Sequence, residues 1–471
     1  MAILPELTLL AAALAFFALS LTKQLNAGQI KNTAVFFGFL TFLASIVCFG
    51  TRASLFYDSY QVDQFSQLFK LVMGFALLVV TVFSQTDKDI NIEVRPEYYM
   101  FLFLSVLGLM ALVSSVEMIS IFVSLELSSF ALYLLVPMRD DQKGLRIQME
   151  AGIKYILFGV MATGFMLYGM SYLFGLTGST YLAEIIPGLQ KVASQPAALF
   201  AVLMVLGGFF YKLAVFPMHF WVPDIYQGAS NETTGFIATI PKLGAVAMLI
   251  RFVTMAQGNV QIIIYLLMTL ALCSMFYGNL SALVQTDVKR MLGFSGISHA
   301  GFVLLGILTM QVSGYATSIY YIIGYVLMNL ACFLVLANVS SKGENLAIED
   351  LNGLHKREPV LAFILAVGLF ALAGIPPFIG FMGKFMLLTG AFKQGYLWLV
   401  ILAAINTAIA IYYYLSVVKA AYTADPEERP DVTVDCFTKT IGVVLVLLII
   451  IMGVFPAKIV SFAGTVVQSI M

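Results

Sequence analysis

From Ile3 onward, apolar runs of roughly 20 residues follow one another, separated by short polar connectors. An α-helix rises about 1.5 Å per residue, so each run is long enough to cross a hydrocarbon core about 30 Å thick. Windows of about 19 residues predict fourteen helices, at 4–22, 31–50, 63–84, 98–115, 117–138, 147–175, 196–222, 229–252, 261–284, 290–310, 313–338, 359–388, 396–421 and 439–463. The longest polar stretches, "TDKDINIEVRPE", "RDDQKGLRIQME", "SSKGENLAIEDLNGLHKREP" and "TADPEERPDVTVD", are connectors and not inserted domains. Residues 180–192 read as a helix lying along the surface. No cleavage-site pattern follows the first run and no Arg-rich leader precedes it, so the first helix is expected to stay.

Composition agrees with the pattern. Of 471 residues, 61% are hydrophobic and 11% charged, against about 25% charged in a soluble domain. A soluble globular protein is excluded, and the chain reads as an all-α polytopic membrane protein with the lipid bilayer as its solvent. Formal net charge is zero, with no basic block to engage nucleic acid. Cys48, Cys273, Cys332 and Cys436 are scattered, with no CxxC and no His at metal spacing, and read as small packing residues.

Alternating the connectors places fifteen Lys and Arg on one side, among them Lys23, Lys31, Lys88, Lys143, Lys289 and Arg290. The other side receives Arg52, Lys191, Arg251, Lys393 and Lys458. Positive residues mark the inner side, so both termini are expected to face outward. Five lysines remain inside the helices: Lys70, Lys154, Lys212, Lys242 and Lys384. A Lys at the centre of a membrane helix costs about 2.5–3.5 kcal/mol on insertion scales, so it ordinarily faces the bundle interior and serves a purpose. Lys70 lies near a helix end and reads as a residue that snorkels to the interface. Glu126, in "FVSLELSSF", joins the other four from the fifth helix. Counting inward from the span edges places Glu126, Lys154 and Lys242 roughly 10–18 Å into the core. Ionisable groups spaced at one depth predict a lateral hydrated path, because each proton gained or lost changes the field felt by the next group.

Two spans are broken. "YKLAVFPMHFWVPD" puts Lys212, Pro217, His219 and Pro223 where hydrocarbon should be, and "GIPPFIGFMGKFM" repeats the device with Gly374, Pro376, Pro377 and Lys384. Proline removes a helical hydrogen bond, and irregular backbone at membrane depth survives only within protein or beside water. The breaks fall in the seventh and twelfth spans, which cross in opposite directions. That predicts two inverted five-helix repeats, helices four to eight (98–256) and nine to thirteen (257–422), after three N-terminal helices (1–97) and before a last helix (423–471).

"YKLAVFPMHFWVPDIYQGA", "QTDVKRMLGFSGISHAGFVLLGI" and "GIPPFIGFMGKFMLL" resemble the antiporter-like membrane subunits of respiratory complex I, and "SLELSSFALYLL" with "GIKYILFG" most resembles subunit N of NADH:quinone oxidoreductase. The resemblance runs from about residue 60 to 420. It implies a fourteen-helix proton channel with no redox centre or cofactor of its own. NADH, FMN, iron–sulfur clusters and quinone belong to other subunits, and the partners are further membrane subunits, antiporter-like ones included, in a bacterial inner membrane. By the same resemblance Glu126 is the fifth-helix glutamate paired with Lys212, Lys154 the sixth-helix lysine, Lys242 the eighth-helix lateral relay and Lys384 the exit residue. His219 and His299 could extend the relay. Where the family continues with a proline-containing stretch, this chain has "SNETTGF", which adds Glu232. The alternatives are subunits of a hydrogenase-like, F420-linked or photosynthetic relative, a multisubunit Na⁺/H⁺ antiporter, and a passive anchor. Sodium calls for an oxygen-rich site, and one Glu among four Lys favours protons.

Overall fold

The computed structural model describes residues 2–22, 26–84, 89–140, 144, 146–192, 195–254, 260–423, 425, 429 and 432–470, with only the backbone of Thr254 and Val260. The apolar runs become helices, in chain order α1 (Leu4–Ser20), α2 (Ala27–Val47), α3 (Gln64–Phe83), α4 (Arg95–Ser114), α5 (Met118–Leu135), α6 (Ile147–Thr177) and α7 (Leu182–Lys191). There follow α8 (Pro196–Leu213), α9 (Val222–Gly228), α10 (Asn231–Thr254), α11 (Val260–Ala282), α12 (Val288–Ile307) and α13 (Val312–Val339). The chain ends with α14 (Leu354–Arg357), α15 (Pro359–Ala373), α16 (Ile379–Lys393), α17 (Leu397–Thr423), α18 (Cys436–Val454) and α19 (Pro456–Gln468). Among the described residues, twelve helices are long and apolar enough to cross a membrane, and α1 and α15 are apolar but shorter. The amphipathic α7 lies where a surface helix was expected.

Helices α10, α12 and α13 form the centre, each about 94% buried along its membrane-length window, whereas α2, α6, α11, α17 and α18 are less than half buried. That contrast follows from sequence. The central helices carry the polar groups Lys242, His299 and Asn329, which other helices must cover, while the outer ones turn Leu, Ile and Phe outward.

Both expected breaks are present. Helix α8 stops at Ala214, whose φ of 67° is left-handed, and Val215 N–H returns to Phe210 O at 2.9 Å. Helix α15 stops at Gly374, with φ 87°, and Ile375 N–H returns to Phe370 O at 3.0 Å. Among the described residues, Phe216–Pro217 and Pro376–Pro377 are the cis peptide bonds. A second pair of features recurs at a constant offset. Glu117 accepts from Ser120 N–H at the start of α5, and Met118 N–H bonds Thr180 O at 2.9 Å. Asp287 accepts from Arg290 N–H at the start of α12, and Val288 N–H bonds Leu346 O at 3.0 Å. The same offset relates the close approach of α4 to α5 at Gly108 to that of α11 to α12 at Gly278.

Several expectations change. The connector before α3 holds a two-stranded hairpin, β1 (Ala53–Leu55) and β2 (Tyr60–Val62). The last span is not continuous, because Pro456 starts a separate α19. Ser230 caps α10, its hydroxyl accepting from Thr233 N–H at 3.1 Å, so the "SNETTGF" stretch is already helix from Asn231. Lys23, Lys88 and Lys143 lie outside the described residues.

Lys70 does not snorkel. It is fully buried, with Nζ 2.6 Å from Glu6 Oε1, and the Tyr60 hydroxyl donates to the same oxygen at 2.6 Å. Its partner comes from α1, which periodicity within one span cannot reveal. Breaking a buried pair costs about 3–5 kcal/mol because one charge is left uncompensated. Lys70→Met is therefore expected to lower the thermal unfolding midpoint of the purified complex and the amount of this chain in membranes. The double variant Lys70→Met/Glu6→Gln is expected to recover most of both.

Candidate functional site

In the first broken helix, the C-terminal turn of α8 carries Lys212, which is buried and donates through Nζ to Ser129 Oγ on α5 at 2.9 Å. Glu126 lies one turn before Ser129 on the same helix, and its Oε1 is buried with no hydrogen-bond partner. The structure thus brings Glu126 and Lys212 to one place through a serine. In the second broken helix, Lys384 on α16 reaches back across the break and donates to Leu372 O and Ala373 O at 2.9 and 3.1 Å. Those are free carbonyls at the C-terminal end of α15, the negative end of its dipole. The Lys384 ammonium therefore sits at the C-terminus of α15, where unpaired carbonyls stabilise it without a carboxylate, while Lys212 lies in the last turn of α8 with its ammonium on a hydroxyl.

Lys242 stands between them on the central α10, directly after Pro241, which removes one helical hydrogen bond there. Its Nζ donates to Tyr325 Oη on α13 at 2.9 Å. The contact is possible because position 296 on α12 has no side chain. A Cβ there would lie 2.7 Å from both Lys242 Nζ and Tyr325 Oη. At the offset relating α5 to α12, Gly296 is the counterpart of Glu126 and His299 that of Ser129. His299 is buried between two hydroxyls, Nδ1 at 2.7 Å from Tyr321 Oη and Nε2 at 3.1 Å from Tyr414 Oη. Its ring lies 5.1 Å from that of Tyr325, and the Phe302 ring separates Tyr321 from the Lys384 ammonium.

Toward Lys212, the rings of Tyr133, Tyr155, Trp221 and Tyr226 follow one another at 5.1, 5.0 and 6.4 Å. The hydroxyls of Tyr133, Tyr155 and Tyr226 are buried without a protein partner. Buried hydroxyls in that position are ordinarily satisfied by ordered water, so polar groups continue between Lys212 and Lys242.

Two expected members stand apart. Lys154 has a side chain 36% exposed and is held by Glu150 and by Asp224 of α9, both at 2.7 Å, while Asp224 also pairs with Arg290 at 2.9 Å. A depth count could not foresee that cluster, because Asp224 reads as the first acid of a short helix. His219 is fully buried, stacked on Phe216 and edge-on to Tyr277, and neither ring nitrogen has a partner. Pro217 borders a cavity of about 180 Å³ with an apolar wall that includes Phe165, Phe220 and Trp221. Ser129, Tyr321, Tyr325, Tyr414 and Gly296 carry no charge, and only the four-residue spacing of Tyr321 and Tyr325 hinted at a shared polar face. Among the described residues, no group of three or more His, Cys, Asp or Glu is placed to hold a metal ion.

A polytopic helical bundle whose interior carries a file of ionisable groups between two broken helices is a membrane transporter of the antiporter-like class. The chain belongs to the NADH:quinone oxidoreductase/Mrp antiporter membrane family, whose sequence pattern matches residues 115–410. It is 51% identical to NADH-quinone oxidoreductase subunit N 2 of Opitutus terrae, with 96% of this chain and 95% of that protein covered. Respiratory complex I of Thermus thermophilus contains a chain that superposes with a TM-score of 0.83 at 28% identity, with 97% of this chain and 98% of that one covered. A chain of an archaeal membrane-bound sulfane sulfur reductase superposes with a TM-score of 0.90 at 22% identity, over 100% of this chain and 98% of that one, which is a likeness of fold.

Proposed function

We propose that this chain is a proton-translocating membrane-arm subunit of a complex I-type NADH:quinone oxidoreductase, and that Glu126, Lys212, Lys242, His299 and Lys384 carry the protons. The observation that supports it most is the placing of a buried lysine at each broken helix, Lys212 in the last turn of α8 and Lys384 with its ammonium on the last carbonyls of α15, with the Lys242–Tyr325 pair and His299 between them. Each ammonium is held by hydroxyl or carbonyl oxygens, which let a proton leave more readily than a carboxylate would. Lys154, tied to two carboxylates, serves as a fixed positive charge at the edge of the file. The recurring breaks and the paired caps at Glu117 and Asp287 support two repeats, 98–256 and 257–422. The first cap lies on the lysine-poor side and the second on the lysine-rich side, as inversion requires.

In this reading the chain does no redox chemistry. NADH, flavin, iron–sulfur clusters and quinone are handled by other subunits, and quinone reduction there drives protonation here. The protein lies in the bacterial plasma membrane beside other antiporter-like subunits, with both termini outward. The test is ionic. In inverted vesicles containing the whole complex, NADH oxidation is expected to build a pH gradient that a protonophore collapses and sodium removal leaves unchanged. A gradient that requires sodium, or that a sodium ionophore abolishes, would overturn the reading in favour of sodium transport.

A further inference from the structure

The relay leaves unused a buried acid that the sequence singles out. Glu232, 1% exposed, stands in the first turn of α10. Arg95 Nη1 of α4 lies 3.4 Å from both of its oxygens, and Ser84 at the end of α3 donates its hydroxyl to Oε2. Ser84 continues to Tyr99 Oη at 2.7 Å. Beside it, Ser230 and Thr233 share a bond of 2.7 Å, and Asn231 N–H donates to Asp89 Oδ2 at 2.7 Å. Arg95 is fully buried, yet its Nε and Nη2 have no partner. A structural ion pair would ordinarily present the guanidinium fork at about 2.7–2.9 Å. This one is loose, and its unfilled donors are the kind of buried group that ordered water satisfies.

Position adds direction. Glu232, Gly235, Thr239 and Lys242 recur at spacings of three and four residues, so they share one face of α10. The stripe starts on the lysine-rich side and ends at the central ammonium. Phe83 and Phe333 press on it at Gly235, giving one apolar layer between the two charges. Among the described residues, the other charged and titratable groups around Glu232 include Tyr98 and Tyr99 of α4, Asp89 in the connector and Lys31 of α2, which also feels Asp435.

We propose that Glu232, held by Arg95 and Ser84, is a proton-loading site that feeds Lys242 from the lysine-rich face. A proton from that face forms the O–H bond of a neutral Glu232 carboxyl. When water enters the layer at Phe83 and Phe333, that bond breaks, the proton passes to a neutral Lys242 amine, and Glu232 returns to the carboxylate that Arg95 stabilises. The inference rests on the proposed proton pumping, and its test separates the two.

In vesicles of the intact complex, Glu232→Gln keeps the hydrogen bonds to Ser84 and Arg95 but cannot carry a proton. NADH-driven proton pumping is expected to fall at least about tenfold, a modest loss beside the 10²–10⁴-fold usual for removing a general acid–base group. Assembly and NADH oxidation by an artificial acceptor are expected to hold, and Glu232→Asp is expected to retain pumping with a shifted pH profile. Lys212→Ala is measured alongside. Loss in Lys212→Ala with wild-type pumping in Glu232→Gln overturns the loading site and leaves the relay standing. Pumping unaffected in Lys212→Ala overturns the relay and, with it, this inference. Equal loss of assembled complex in both Glu232 variants identifies a structural pair and also overturns it.

Discussion

Lys212→Ala is expected to cut NADH-driven proton pumping at least about tenfold, with NADH:quinone turnover falling in step and NADH oxidation by an artificial acceptor unchanged. The reasoning begins with cost. Lys212 is buried with its Nζ on one serine hydroxyl, and among the described residues no carboxylate forms an ion pair with it. Evolution could remove a purely structural ammonium of that kind at a gain in insertion energy of about 2.5–3.5 kcal/mol. The residue instead sits on the last turn of α8, where the helix dipole favours positive charge and the helix breaks at Ala214. In the proposed relay, truncation to alanine takes away the proton carrier that stands between Ser129 and the tyrosines leading toward Lys242. The measurement is acidification of inverted vesicles at matched amounts of assembled complex. Undiminished pumping and undiminished quinone reductase activity together would remove Lys212 from the relay.

Sequence reading reached the helical membrane architecture and both breaks and singled out the lysines within the apolar runs, because each leaves a local signal: a run of apolar residues, a proline, or a charge where none belongs. It did not reach Ser129, Tyr325 or Gly296, because a serine, a tyrosine and a glycine inside an apolar run look like ordinary packing. Their place in the site exists only once α5 meets α8 and α10, α12 and α13 pack together. The same limit explains Lys70, whose partner Glu6 lies two helices earlier in the chain. It explains Lys154 as well, where an i,i+4 Glu150 was visible in the sequence but the convergence with Asp224 and Arg290 was not. Pro456 was a legible stop signal inside the last apolar run, and the hydropathy window averaged across it.

The two proposed repeats differ at corresponding positions, which changes what each half can do. In the first half a carboxylate at position 126 and a serine at 129 face Lys212. In the second half the corresponding positions are Gly296 and His299, and the volume vacated by the missing acid is filled by Lys242 and Tyr325. The first half thus offers a proton acceptor that can be charged negative. The second offers an imidazole held between two hydroxyls, a group whose donor and acceptor nitrogens are suited to passing a proton on.

Gly296→Ala is expected to lower pumping about tenfold, close to the effect of losing Lys242 itself, although the substitution adds one methyl group. That methyl would sit 2.7 Å from Lys242 Nζ and from Tyr325 Oη, too close for either to stay. Tyr325 is 1% exposed on the central α13 and has little room, whereas the lysine end is flexible. The ammonium therefore gives way further than the phenol, and the 2.9 Å bond between them is lost. Tyr325→Phe removes the same bond from the other side and relieves the crowding. If Gly296 acts through this contact, the double variant Gly296→Ala/Tyr325→Phe pumps no worse than the poorer single variant, since both changes break one interaction. Strictly multiplicative losses would mean that Gly296 serves helix packing and that Lys242 finds its proton partner elsewhere.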